Sequence, residues 1–300
     1  MNKLFFLILS CLFVFPNLAV AKLHVVTTLT DLAAITKEVA GDEATVESIA
    51  KGTQDPHYIE AKPSFMLKVN HADLLISIGL ELEVGWLPSL VRGGRNPKIK
   101  QGELGFLEVG PLVNPLEVPT GSISRAEGDV HPDGNPHVTL DPIRAGEIAG
   151  IIADRLSALD ASHEALFHGN AKKFQDRMKQ KIVVWKERIA KSGVKKAISY
   201  HKTLTYFFDR FGIKNSAILE PKPGIPPTSA HVMDVIALMK QEKISLIMVE
   251  NMFDPTVTNK IINDIPAARA VTVPVAVGGE EKIHSMDDLY ESLVKAVEGK

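Results

Sequence analysis

The chain has 300 residues, with 34 Lys and Arg against 36 Asp and Glu, for a formal net charge of −2. That near-neutral balance argues against nucleic acid or an anionic membrane surface as a partner. The single cysteine, Cys11, lies within the first 21 residues, so a metal site anywhere else must use nitrogen and oxygen donors, and disulfides are excluded.

Residues 1–21 read as an export signal. Lys3 supplies the positive start, Leu4 to Val20 the apolar run, and Ala19-Val20-Ala21 a small-x-small cleavage site. Pro16 and Asn17 interrupt the run, which is short for a bilayer span. Ile8-Leu9-Ser10-Cys11 is close to a lipoprotein processing box, but the apolar segment continues past Cys11. The expectation is therefore a periplasmic protein without a lipid anchor, beginning near Lys22 and carrying a charge of −3 once Lys3 is lost from the −2 total.

The mature chain opens with alternating strand and helix patterns: strand Leu23 to Thr28, helix Asp31 to Ala40 stopped by Gly41, strand Ala44 to Ala50, helix Pro63 to Ala72, and an apolar strand Asp73 to Ile78. This order predicts an α/β lobe with a mostly parallel sheet. From Pro111 to Pro136 the pattern gives way to Pro, Gly, Ser and acidic residues, a long exposed loop of a kind that is often functional. A helix follows Asp141-Pro142 to about Ala158. A second one runs from Ser162 to Lys191 with Phe167, Ala171, Phe174, Met178, Ile182, Trp185 and Ile189 in one stripe. Asp160 or Ser162 can cap its start and Gly193 its end. At roughly 45 Å it is long enough to join two lobes.

The alternation then resumes: strand Lys196 to Tyr200, helix Thr203 to Phe211, strand Ser216 to Glu220, helix Ser229 to Gln241, strands Ile244 to Glu250 and Val271 to Val275, and helix Met286 to Val297. The predicted organisation is a signal (1–21), an N-terminal α/β lobe (22–160), a linking helix (161–192) and a C-terminal α/β lobe (193–300).

Three histidines stand in distinctive settings. His57 lies in Asp55-Pro56-His57-Tyr58-Ile59-Glu60, a loop past a predicted strand. His137 lies in Asn135-Pro136-His137-Val138-Thr139-Leu140-Asp141-Pro142, at the end of the long loop. His201 directly follows a predicted strand, and carboxyl ends of parallel strands border ligand crevices. Three imidazoles with a carboxylate suit tetrahedral Zn²⁺, although separation along the chain leaves their convergence open. The other histidines, His24, His71, His163, His168, His231 and His284, show no ligand pattern and read as structural or solvated.

These three segments resemble the metal-binding proteins of ABC transporters, the ZnuA/TroA-like family. Asp55-Pro56-His57 with Glu60 and Pro63-Ser64 is similar to its first ligand motif, Asn135-Pro136-His137 with Leu140-Asp141-Pro142 to its second, and Tyr200-His201 with Tyr206-Phe207 and Phe211-Gly212 to its third. The resemblance runs from about Leu23 to the C-terminus. It implies two α/β lobes, a rigid linking helix and a metal in the cleft, with His57, His137 and His201 as ligands. The third position is His in zinc-type and Glu in manganese-type members, so His201 favours Zn²⁺ over Mn²⁺.

The resemblance further implies a fourth carboxylate in Val277-Gly278-Gly279-Glu280-Glu281. Glu281 is the first choice, Glu280 the second and a water the alternative, since the usual residue there is Asp. The long loop is His-rich in the better-known zinc members and here has only His131, a candidate transient ligand during loading or else an ordinary loop residue. Glu60 and Asp141 are candidates to orient the ligating rings, Asp141 competing with a role as helix cap.

The expected function is capture of one Zn²⁺ and delivery to a membrane permease, by a monomer that takes its cargo free or from a periplasmic donor, with no catalysis and no organic substrate. A zinc hydrolase is the rival, but Ala61 stands where His57-x-x-Glu60 would need a histidine, and neither HExxH nor Gly-x-Ser-x-Gly occurs. A binding protein for an organic chelate would want a wider aromatic cleft, and the chain has two Trp and four Tyr.

Overall fold

The computed structural model describes residues 22–121, 131–220, 222 and 224–300. The predicted signal with Cys11, and the middle of the 111–136 loop, lie outside them. The first half forms a parallel sheet of β1 (Leu23–Thr27), β2 (Ala44–Ser48), β3 (Leu74–Ser77) and β4 (Phe106–Glu108) in the order β2-β1-β3-β4. Helices α1 (Thr30–Ala40), α2 (Pro63–His71) and α3 (Leu87–Gly94) connect these strands. Then come α4 (Pro142–Leu159) and α5 (Glu164–Ser192).

The second half repeats the plan with β5 (Lys196–Ser199), α6 (Thr205–Phe211), β6 (Lys214–Ile218), α7 (Ser229–Glu242), β7 (Leu246–Glu250), α8 (Thr256–Asp264), β8 (Arg269–Val273) and α9 (Met286–Glu298). Its sheet order is β6-β5-β7-β8, again all parallel. Parallel sheets need both faces covered, which is why β3 and β7 are buried at every residue.

One apolar core runs without a break from β1 and β3, through α1, α4 and α5, to β7 and α9. Smaller cores under α2 and α3, and under α7 and α8, cover the outer faces of the two sheets. The predicted stripe on α5, Phe167 through Ile189, is the set of residues this helix buries. A fully buried apolar side chain of this size contributes about 1.5–3 kcal/mol. The 29-residue helix, about 43 Å long, begins after a single 3₁₀ turn in which the Asp160 carboxylate accepts from Ser162 N at 3.2 Å. It ends at Gly193, whose φ of 74° is a left-handed cap.

α5 also ties the halves together through polar contacts. Arg177 pairs with Glu38 of α1 and, at 3.1 Å, with Asp287 of α9. Arg188 pairs with Glu291 at 2.8 Å and Glu298 at 2.7 Å. No helix among the described residues is long and apolar enough to cross a membrane.

Three elements differ from expectation by being present where the sequence pattern shows none: α3, β4 and α8. α3 begins at Leu87-Pro88 and ends at Gly93-Gly94, and β4 is three residues long. α8 buries only Thr258 and Ile261. Segments this short carry little periodicity, and packing against neighbours creates them.

Candidate metal centre

The carboxyl ends of both sheets line one small cavity. Residues after β1 (Leu29 to Asp31) and β2 (Ala50 to His57) face residues after β5 (His201, Thr203), β7 (Met252, Phe253) and β8 (Val275, Ala276), with Pro136 to Leu140 closing one side. Its volume of about 40 Å³ has room for an ion or a few waters and not for an organic solute.

Into this space point His57, His137 and His201, each offering one donor nitrogen, all within 4.8 Å of one another. A triangle with sides no longer than 4.8 Å has a point at most about 2.8 Å from every corner, so sub-ångström closure would bring the donors to the roughly 2.0–2.1 Å of a Zn–N bond. The rings meet edge to face, at centroid distances of 5.5 Å (His57–His137), 5.5 Å (His57–His201) and 5.4 Å (His137–His201). Among the described residues this is the one such group of donors.

Each ring is held by its own local chemistry. Asp55 Oδ1 accepts from the His57 backbone N at 3.0 Å and lies 2.7 Å from its Nδ1. One aspartate oxygen thus fixes both the turn and the ring. Burial raises the Asp55 pKa, but the hydrogen bond and positive field of His57 outweigh it and leave the carboxyl below its usual range. Trp86 Nε1 donates to Pro56 O at 2.9 Å, pinning the loop to the first half.

Asn135 organises the second motif. Its Oδ1 accepts from His137 N at 3.0 Å, its Nδ2 donates to Lys202 O at 3.0 Å, and its carbonyl accepts from Tyr206 Oη at 2.6 Å. His201 follows β5 and its Nδ1 lies 2.5 Å from Glu220 Oε2. Behind it, Glu250 accepts from the His201 backbone N at 3.3 Å.

The far nitrogens complete the picture. Nε2 of His137 and of His201 are buried without a hydrogen-bond partner among the described residues, a costly arrangement. Burial first, then the neighbouring His201, His57 and His131 rings, hold His137 well below the usual imidazole range, so it is neutral, as a metal ligand must be. With Nδ1 of His57 and His201 directed at carboxylates, their Nε2 lone pairs face the cavity. Two imidazoles backed by carboxylates, beside a buried neutral His137, are the donor set of a borderline-soft divalent metal.

Several expected site residues are placed elsewhere. Glu281 and Glu280 are exposed and are not among the grouped donors. Their segment serves a different purpose: Val277 N donates to the buried Asp31 carboxylate at 2.7 Å, and Asn251 Nδ2 to Gly279 O at 2.7 Å. The backbone there clasps the first half while the glutamates face solvent. Glu60 is 81% exposed and 3.6 Å from Lys62, so it orients no ligand. Asp141 is fully buried, caps α4 by accepting from Ile143 N at 2.9 Å, and pairs with Arg144 and Arg210, both at 2.6 Å. The ring-orienting carboxylates are instead Asp55 and Glu220. The Asp-x-His spacing could have revealed the first, whereas nothing local connects Glu220 to His201, nineteen residues away.

The model of the family described as "Zinc-uptake complex component A periplasmic" matches residues 25–297. This chain belongs to that family. It is a family of metal-binding proteins of transport systems, not of enzymes. The zinc-binding lipoprotein AdcA of Streptococcus pneumoniae is 26% identical over 258 residues, 85% of this chain and 50% of AdcA. The chain thus spans half the length of that relative. The manganese ABC transporter substrate-binding lipoprotein PsaA of the same species is 27% identical over 282 residues, 91% of this chain and 86% of PsaA. Among solved structures, a crystal structure of ZnuA superposes with a TM-score of 0.78 at 18% identity, covering 93% of this chain and 98% of that one, which shows the shared fold.

The relatives also correct one expectation. AdcA, PsaA and the ScbA of Streptococcus cristatus are all named lipoproteins, which contradicts a protein without a lipid anchor. The apolar run continuing past Cys11 is no sufficient ground for that exclusion, and Cys11 itself lies outside the described residues.

Proposed function

We propose that this chain captures one divalent transition-metal ion outside the cytoplasm, zinc in preference to manganese, and passes it to an ABC-transporter permease. The ion is held by His57, His137 and His201 between the halves 22–160 and 193–300, which the helical segment 161–192 joins. The observation that carries this reading is the meeting of three imidazoles from three separated loops, two of them with buried Nε2 atoms that lack partners. Imidazole donors suit zinc better than manganese, which prefers oxygen, and the third position is the imidazole of His201. The relatives named for zinc and for manganese support the class of cargo, and the small cavity supports a bare ion.

The deciding experiment is elemental analysis and competitive titration of the metal-stripped protein, beside His201→Ala. One Zn²⁺ per chain, bound much more weakly by the variant and in preference to Mn²⁺, is the expected result. A native protein that takes up no zinc, or a variant that binds equally well, overturns the three-histidine site.

A further inference from the structure

We propose that His131, from the loop before His137, supplies a fourth nitrogen to the same ion, so that the site is an all-imidazole tetrahedron. This rests on the three-histidine reading above. Nε2 of His131 lies 3.3 Å from Nε2 of His57, with the ring centroids 5.4 Å apart. Two ligands on one tetrahedral Zn²⁺, each about 2.0–2.1 Å from the metal, are separated by about 3.3–3.4 Å. The observed spacing matches that edge for the His57–His131 pair. His131 stands outside the 4.8 Å group of the other three donors, so it completes the tetrahedron by shifting toward the cavity when the ion binds.

The tautomers strengthen the case. Nδ1 of His131 is 3.0 Å from the carbonyl of Leu80, which can only accept, so Nδ1 carries the proton. Nδ1 of His57 is 2.7 Å from the Asp55 carboxylate and carries its proton for the same reason. With both Nδ1 atoms engaged, it is the two Nε2 atoms that face each other at 3.3 Å, and a cation between them can be ligated by both.

The backbone is shaped for this contact. Leu80 and Glu81 both adopt left-handed conformations, φ 54° and 62°. Such strain in residues other than glycine concentrates at ligand sites, and here it accompanies the Leu80 carbonyl that orients His131. On the other side, His131-Pro132-Asp133-Gly134 forms a turn closed by Gly134 N donating to His131 O at 3.2 Å, with Pro132 in its second position. A fourth nitrogen also supplies what the exposed Glu281 does not, and it deepens the preference for zinc over manganese.

The test is zinc-edge X-ray absorption of the wild-type protein loaded with one Zn²⁺, together with zinc titrations of His131→Ala and His201→Ala. Four imidazole nitrogens are expected in the wild type. His131→Ala should keep one zinc with three imidazoles and one oxygen, at an affinity lower by roughly tenfold or more, and a melting profile without metal should establish that it is folded. Three imidazoles in the wild type, or unchanged zinc affinity in His131→Ala while His201→Ala loses binding, refutes the role of His131 and leaves the three-histidine site intact. Unchanged binding in His201→Ala removes both.

Discussion

Glu220→Gln isolates the carboxylate that orients His201. The substitution keeps size and shape in a position only 7% exposed, and the glutamine Oε1 can still accept from Gly224 N, the contact Glu220 makes at 2.6 Å. What changes is the bond to His201 Nδ1. A carboxylate can only accept, so it fixes the proton on Nδ1 and leaves the Nε2 lone pair for the metal. An amide can turn its NH₂ toward Nδ1, moving the ring proton to Nε2 and blocking coordination. Even without that flip the ring loses the negative charge that raises its basicity. Loss of such a supporting partner costs about 10–100-fold in metal affinity, or about 1.4–2.8 kcal/mol. Competition against a chromophoric chelator at neutral pH measures the ratio, with thermal unfolding of the metal-free proteins as the control for structure. Zinc affinity within twofold of wild type, in a protein of unchanged stability, would refute the assignment of Glu220 as the residue that orients His201.

Two further outcomes follow from the packing between the halves and from a buried acid. A Cβ at Gly52 would stand 2.2 Å from the Val277 carbonyl, so Gly52→Ala must push the loop after β2 away from the segment after β8. A cost of about 1–3 kcal/mol is expected, a drop in melting temperature on the order of 5 °C, whereas Gly169→Ala, in open space on α5, should not destabilise; equal effects would remove the close contact as the cause. Burial pushes Glu250 up to about 8, above its unfolded value, so the folded chain holds that proton more tightly. The stabilisation is complete below about pH 4.5 and is lost as pH rises through 8. Asp31, raised by burial to about 6, and Glu83, raised to about 7, act in the same direction. His137, held low by burial, acts in the opposite direction, so the contribution of Glu250 is read by difference. In urea denaturation of metal-free protein, the stability of wild type relative to Glu250→Gln should fall by a few kcal/mol between pH 5 and pH 8; an unchanged gap would exclude Glu250 as a source.

The sequence by itself determined the fold class and the identity of the grouped histidines. β3 and β7 are continuous apolar runs, and the α5 stripe repeats every three or four residues, so local periodicity reports burial directly. His57 and His137 carry their supports within two residues, Asp55 and Asn135, which makes those motifs legible as short strings. Tertiary structure alone decided the rest. Glu220 reaches His201, Asp31 meets Val277, and His131 meets both Leu80 and His57 only because the two sheets bring their carboxyl ends to one cavity. The same packing turns Glu281 outward, where likeness to a family pattern pointed inward. Which side chains share a few ångströms of space depends on how the chain closes on itself, and contacts between distant segments leave no periodic trace along it.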